Sequence, residues 1–143
     1  MTTTAYSTEN RPARGLLADG ARLLRLALRL DAGVTAANGL AYLALAGPVE
    51  DLIGLDPGPG RAIGAFLLGY AALVWAVSVP ARPNRLAVTA VVEVNLLWTV
   101  LSVVTVALGW FSLTTAGAAW AVLQAIAVAG FAAVQYTALR RRG

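Results

Sequence analysis

The sequence predicts an all-α integral membrane protein, an up-and-down bundle of four transmembrane helices. The 143 residues are 59% hydrophobic and only 13% charged, whereas soluble domains carry about 25% charged residues. Four apolar runs approach the length of about 20 residues that crosses a bilayer, and short segments with Pro, Gly or Arg separate them. The alternative, a very hydrophobic soluble bundle, needs polar helix faces that these runs lack.

Composition also excludes several classes of site. The chain has no Cys and no His, and it has only seven acidic residues. A disulfide, a thiol nucleophile and a thiolate metal site are therefore excluded, and we predict neither a metal site nor a cofactor. All eleven basic residues are Arg, and they lie at the ends of apolar runs rather than on one soluble face. This placement indicates membrane topology and argues against nucleic acid as a partner.

The N-terminal region divides into a tail and a basic helix. Residues 1–12 are predicted to be a disordered cytoplasmic tail without a cleaved signal peptide, and residues 13–143 form a single transmembrane domain. The next segment places four arginines on about one quarter of a helix surface, so we expect a basic amphipathic helix at the inner interface. It either anchors the chain or recognises anionic head groups of membrane lipids. The four are Arg14, Arg22, Arg25 and Arg29.

The apolar runs and their breaks define the predicted spans. A break at 47–60, GPVEDLIGLDPGPG, is rich in Pro and Gly and should form the first outer loop with one short helical turn. That turn would act as a lid over the bundle or merely cover helix ends. The spans cover about residues 23–46, 61–79, 86–108 and 116–139.

Charge asymmetry gives the predicted orientation. The N-terminal segment, the 80–85 loop and the C-terminus contain ten of the eleven arginines, and the outer connections contain only Arg61. Basic residues favour the cytoplasmic side. We therefore expect a multi-pass protein of the cell inner (plasma) membrane with both termini in the cytoplasm.

Glu93 is the candidate catalytic residue, because it lies inside the third span. At 1.5 Å per residue it falls within roughly 6 Å of the bilayer midplane, where an ionisable group is expensive. We expect it to be neutral and to hydrogen-bond to Asn38 or Gln135, which lie at a similar depth. The alternative is a functional proton site.

Other polar residues complete the candidate ligand-binding or bundle polar cluster. Asp31, Thr35 and Asn38 fall at i, i+4 and i+7 and so share one helix face, which should point into the bundle. Asp31 is expected to pair with an arginine at the same depth, Arg85 or Arg140. The whole predicted cluster is Asp31, Thr35, Asn38, Glu93, Asn95 and Gln135.

Several segments resemble the small DoxX-like four-helix membrane proteins of actinobacteria. These are the entry LRLDAGVTAANGL, the segment GRAIGAFLLGYAAL after the outer loop, and Asn-Leu-Leu-Trp in the third span. The resemblance covers about residues 22–110 and implies an up-and-down four-helix bundle, with no catalytic residues to carry over. Small multidrug resistance exporters also have four spans and one membrane acid, but there the acid lies in the first span.

Three functions remain open from the sequence. The favoured hypothesis is a non-catalytic membrane component that packs with partners, as a homo-oligomer or in a larger complex, or binds a lipid or quinone-like molecule. The second is a small proton-coupled exporter or channel that works as an oligomer through Glu93. The third is a membrane enzyme on an isoprenoid or other lipid with Glu93 as general acid.

Overall fold

The structure, a computed structural model, describes residues 11–141, and their side chains from residue 19 onward. This part of the chain is helical throughout apart from short connections, and it contains no strand, which confirms the all-α prediction. The predicted tail at 1–10 lies outside the described residues, and Arg11 and Pro12 already belong to a helix. The helices are α1 Arg11–Ala44, α2 Ala46–Ile53, α3 Pro57–Ser78, α4 Arg85–Leu108 and α5 Thr115–Arg141.

Local sequence signals explain where the helices begin and end. Pro57 opens α3, where a missing backbone N–H costs nothing. The Asn84 side chain accepts a hydrogen bond from the Ala87 N–H at 3.1 Å and caps α4. Gly54 and Gly109 end α2 and α4 in the left-handed conformation, with φ of 77° and 64°. The helices α4 and α5 therefore coincide closely with the last two predicted spans, whereas α3 begins at Pro57 inside the predicted outer loop and α1 begins at Arg11, well before the span predicted at about 23–46.

The break after α1 is a sharp turn rather than a loose loop. From Asp19 onward, α1 is followed by α2 at an angle of 96°. The turn predicted in this loop is thus an eight-residue helix. Its end is bound to the start of α5, because the Thr114 N–H donates to the Ile53 carbonyl at 3.0 Å and the Thr114 hydroxyl donates to the Leu52 carbonyl at 2.9 Å. We call this end of the bundle the α2 end. The opposite end, where Arg85 and Arg140 lie, is called the arginine end.

The four long helices do not surround the axis evenly. The most extensive packing is between α1 and α3, between α4 and α5, and between α1 and α5, whereas α3 barely touches α4. Gly39 and Gly64 allow the closest approach of α1 to α3: a Cβ added at Gly64 would lie 2.8 Å from the Gly39 carbonyl oxygen. The bundle is consequently open on its α3–α4 side.

Two apolar clusters occupy the ends of the bundle. The smaller one, at the α2 end, joins Tyr42, Ile53, Leu55 and Leu67. The larger one lies at the arginine end and combines buried residues of α1, α3, α4 and α5. Its largest members are Leu24, Leu28, Val74, Val88, Val91, Val92 and Leu139.

The outside of the bundle carries many large apolar side chains. Leu52, Leu86 and Ile126 are 66%, 80% and 65% exposed, and many other large apolar side chains also face outward. Such a surface is unsuited to water and typical of contact with lipid. By length and composition α3, α4 and α5 can each cross a membrane, and the bent pair α1–α2 is a fourth candidate. The described helices are thus compatible with a membrane protein.

Candidate functional site

A buried polar network joins the four long helices in the middle of the bundle. Its members are three nearly inaccessible side chains and two partly buried hydroxyls. Each long helix contributes at least one residue. The network therefore fixes how each of the four helices is rotated about its own axis. It consists of Asp31 and Thr35 on α1, Tyr70 on α3, Asn95 on α4 and Gln135 on α5.

The centre of the polar network is a closed triangle. Asp31 Oδ2 accepts hydrogen bonds from Asn95 Nδ2 at 2.8 Å and from Gln135 Nε2 at 2.7 Å. Asn95 Nδ2 also donates to Gln135 Oε1 at 3.2 Å. The remaining oxygens are occupied as well, because Thr35 Oγ1 donates to Asp31 Oδ1 at 3.2 Å and the Tyr70 hydroxyl donates to Asn95 Oδ1 at 2.9 Å. Every buried polar group of the triangle is therefore satisfied.

A cavity of about 190 Å³ lies next to this network, on the side of the α2 end. We call it the central cavity. Its floor includes Asp31 and Asn95, and its walls are aliphatic and aromatic side chains from all four long helices. The lining residues include Asn38, Phe66, Tyr70, Trp98, Trp120, Gln124 and Val128.

A second chamber of about 300 Å³ continues toward the α2 end. Trp98, Trp120 and Gln124 line both spaces, so they form the neck between them. Trp120 Nε1 donates to the Tyr42 hydroxyl at 3.3 Å, which fixes one side of this neck. Gln124 Nε2 is buried yet has no hydrogen-bond partner among the residues that the structure describes. A buried amide without a partner is costly, and an acceptor entering the neck would relieve that cost.

The open side of the bundle gives a lateral groove beside the central cavity. Phe66 and Trp98 line both the groove and the cavity, and the groove also contains Ile63, Val94 and Leu101. The rings of Phe66 and Trp98 are parallel within 8°, with centroids 6.1 Å apart. The groove and the central cavity therefore share a wall between α3 and α4 that these two rings form.

The structure brings together four of the six predicted cluster residues. Asp31, Thr35, Asn95 and Gln135 are hydrogen-bonded to one another. Asn38 lines the central cavity without a described hydrogen bond to its side chain. The sixth residue, Glu93, lies outside the polar network and the central cavity.

Glu93 is exposed and does not line the central cavity, so its predicted hydrogen bond with Asn38 or Gln135 was wrong. The reason is helical geometry: Glu93 precedes Asn95 by two residues, which is a rotation of about 200° around α4. Because Asn95 points into the bundle, Glu93 points out of it. Its functional role stays a prediction.

The predicted ion pair of Asp31 was also wrong. Among the side chains that the structure describes, no arginine lies within ion-pair distance of Asp31, which accepts its hydrogen bonds from amides and a hydroxyl. Arg85 and Arg140 instead lie at the arginine end. Arg25 and Arg29 are also engaged elsewhere, with the Ser78 carbonyl at 3.2 Å and above the Trp75 ring at 5.5 Å.

Sequence reasoning missed Tyr70 and Trp98 as site residues. A signal for Tyr70 was present, because a tyrosine hydroxyl inside an uncharged span requires a buried hydrogen-bond partner. Nothing in the sequence distinguishes Trp98 from a lipid-facing aromatic residue.

Comparisons with family models, curated proteins and solved structures give no match to this chain. The resemblance to DoxX-like proteins therefore stays a prediction. Among residues 19–141, no three acidic side chains cluster in a way that could hold a metal ion.

Proposed function

We propose that this chain is a non-catalytic, four-span membrane protein that binds one amphiphilic molecule, a lipid or a quinone-like compound, in its central cavity. The observation that carries the proposal is the combination of an apolar, aromatic wall with the unpartnered Gln124 amide at the neck. Ligand sites are mostly apolar concavities with a few well-placed polar groups. The central cavity fits that description.

The geometry indicates the chemistry of the ligand. The neck between Trp98 and Trp120 suits a flat ring, and Gln124 Nε2 offers a hydrogen bond to a carbonyl or ether oxygen on it. The central cavity is small, since typical sites for small molecules hold about 300–1,000 Å³. It therefore accommodates a head group only, while an apolar tail leaves through the groove between α3 and α4.

Acid–base chemistry is less well supported. Asp31 is the only acidic residue among the described residues that line the central cavity, and donors already occupy both of its oxygens. Glu93, on which the exporter and enzyme hypotheses depend, lies outside the cavity. A binding role requires no group beyond those present.

The proposal includes the topology, with α1 to α5 forming four spans and α2 lying at the outer surface. Reporter fusions at both termini should show cytoplasmic activity, because the described arginines Arg82, Arg85, Arg140 and Arg141 are all at one end of the bundle. A cysteine introduced at Leu52, in a chain that has no other, should react with a membrane-impermeant maleimide from outside. Periplasmic activity of either terminus would contradict this topology.

Binding can be tested by tryptophan fluorescence with decylubiquinone as quencher. Two full-length variants keep a single tryptophan each, at Trp98 in the neck or at Trp75 beside Arg29, and have phenylalanine at the other three positions. Trp98 emission should be quenched saturably at one quinone per chain, because the ring stacks beside it. Trp75 emission should fall only linearly, as expected for collisions from the lipid phase.

A brominated phospholipid serves as the second probe, so that a lipid ligand is also detected. Equal, unsaturable quenching of Trp98 and Trp75 by both probes would contradict the proposed site.

A further inference from the structure

A separate cavity of about 350 Å³ lies at the arginine end, between the start of α4 and the end of α5. We call it the arginine cavity. Two of its six lining residues are arginines, and they come from different helices. The lining consists of Arg85, Thr89 and Val92 on α4 and Tyr136, Leu139 and Arg140 on α5.

Among the residues whose side chains the structure describes, no carboxylate balances the charges of the arginine cavity. Among the described side chains, no carboxylate lies within ion-pair distance of Arg85 or Arg140, and Asp31 is enclosed in the polar network. Glu93 is eight residues beyond Arg85 on α4, about 12 Å along the helix axis. The positive end of the α4 dipole lies beside Arg85 and the negative end of the α5 dipole lies beside Arg140, so the two dipoles oppose each other and the excess positive charge comes from the two guanidinium groups.

The arginine cavity is also partly preorganised. The Arg140 guanidinium lies over the Tyr136 ring, with 5.8 Å between its central carbon and the ring centroid. This cation–π contact restrains Arg140 and leaves the edge of its guanidinium free to donate. Val92 and Leu139 are buried and form the apolar base.

We propose that the arginine cavity binds a phosphate-bearing anion, with Arg85 and Arg140 as a two-sided clamp. Guanidinium groups match phosphate oxygens in geometry and charge, and two of them from separate helices recognise one anion better than isolated surface arginines do. The source is either the head group of an anionic phospholipid or free phosphate. The inference does not depend on the ligand of the central cavity.

The experiment uses the full chain in a neutral detergent and measures binding of short-chain phosphatidylglycerol, inorganic phosphate and phosphatidylcholine. The test variant is R85Q/R140Q. The matched control is R82Q/R141Q: all four arginines are exposed at the same end, but Arg82 and Arg141 do not line the arginine cavity, and both double variants have the same net charge. An R85K/R140K variant keeps the charges but removes the forked guanidinium geometry. Size-exclusion chromatography and circular dichroism verify folding.

We expect phosphatidylglycerol or phosphate to bind the parent protein in preference to phosphatidylcholine. R85Q/R140Q should weaken binding about 100-fold, since each charge-assisted contact is worth roughly a factor of ten or more. The affinity of R85K/R140K should lie between those of the parent and R85Q/R140Q. R82Q/R141Q should change the affinity by no more than about threefold, because general surface charge alone is weakly selective. Competition by phosphate identifies the free anion as the source, and its absence identifies the lipid.

Three results would overturn the inference. One is an equal loss in R85Q/R140Q and R82Q/R141Q, which reports only surface charge. Another is equal affinity of the parent for phosphatidylcholine and phosphatidylglycerol. The third is no binding of either anionic probe to the folded parent.

Discussion

Asn95→Leu is expected to lower the free energy of unfolding by about 3 kcal/mol, because it removes the member of the polar network that bonds to residues of all three other long helices. Leucine is close to asparagine in size, so packing changes little. The substitution takes one donor from Asp31, one from Gln135 Oε1 and an acceptor from the Tyr70 hydroxyl. Asp31 would retain two of its three hydrogen bonds and Gln135 would lose its donor while both stay buried.

Equilibrium unfolding in mixed micelles, followed by far-ultraviolet circular dichroism, measures this loss. Asn38→Leu is the matched control, since Asn38 lies on the neighbouring cavity wall and its side chain has no described hydrogen bond. It should change stability by no more than about 0.5 kcal/mol. Equal effects of the two substitutions would show that the polar network contributes nothing specific.

Gly117→Ala is expected to separate α2 from α5 and to cost about 3 kcal/mol. The added Cβ would collide with the Ile53 backbone carbonyl, which lies directly against Gly117. The nearest atoms to the added Cβ are all backbone atoms of Ile53. No flexible side chain can move aside to relieve the collision, so α2 has to move. That movement also breaks the two hydrogen bonds between Thr114 and the end of α2.

Detachment of α2 can be followed with one introduced thiol, because the chain has no native cysteine. In a Leu55→Cys background the thiol is buried beside α2. Its reaction with maleimide should be about 100-fold faster when Gly117→Ala is added, since about 3 kcal/mol corresponds to roughly that factor in the open population. Gly130→Ala on the same helix is the control, as nothing lies within 4 Å of its added Cβ. Unchanged labelling with Gly117→Ala would contradict the contact.

The helices themselves were predictable, because strong local signals mark them. Pro57, Asn84 and Gly109 stand where helices begin or end, and the apolar runs between such residues have span lengths. The inward face of α1 was also predictable, since Asp31 and Thr35 share a face and both join the polar network. Residues at the helix ends thus predict where helices begin and end. The rotation of a helix about its own axis is predictable only where its polar residues occupy a single face.

The rotation of α4 was not predictable, and most of the site depends on it. Polar residues occur on two faces of α4, with Glu93 on one and Asn95 on the other. A uniformly apolar background does not indicate which face is buried. Contacts with α1 and α5 decide which face of α4 is buried. Asp31 on α1 and Gln135 on α5 accept the hydrogen bonds of the Asn95 side-chain amide and so hold Asn95 inside the bundle. The same rotation of α4 places Asn95, rather than an arginine, next to Asp31.

The most direct test of the proposed function is native mass spectrometry of the full chain, extracted from its membrane in mild detergent. The parent should retain one small amphiphilic molecule per chain, released on activation and identified by its mass. Val128→Phe adds bulk to the wall of the central cavity and should remove that adduct, whereas Val134→Phe, at an exposed position on the same helix, should retain it. A parent without any adduct, or an adduct that persists in folded Val128→Phe, would contradict binding in the central cavity.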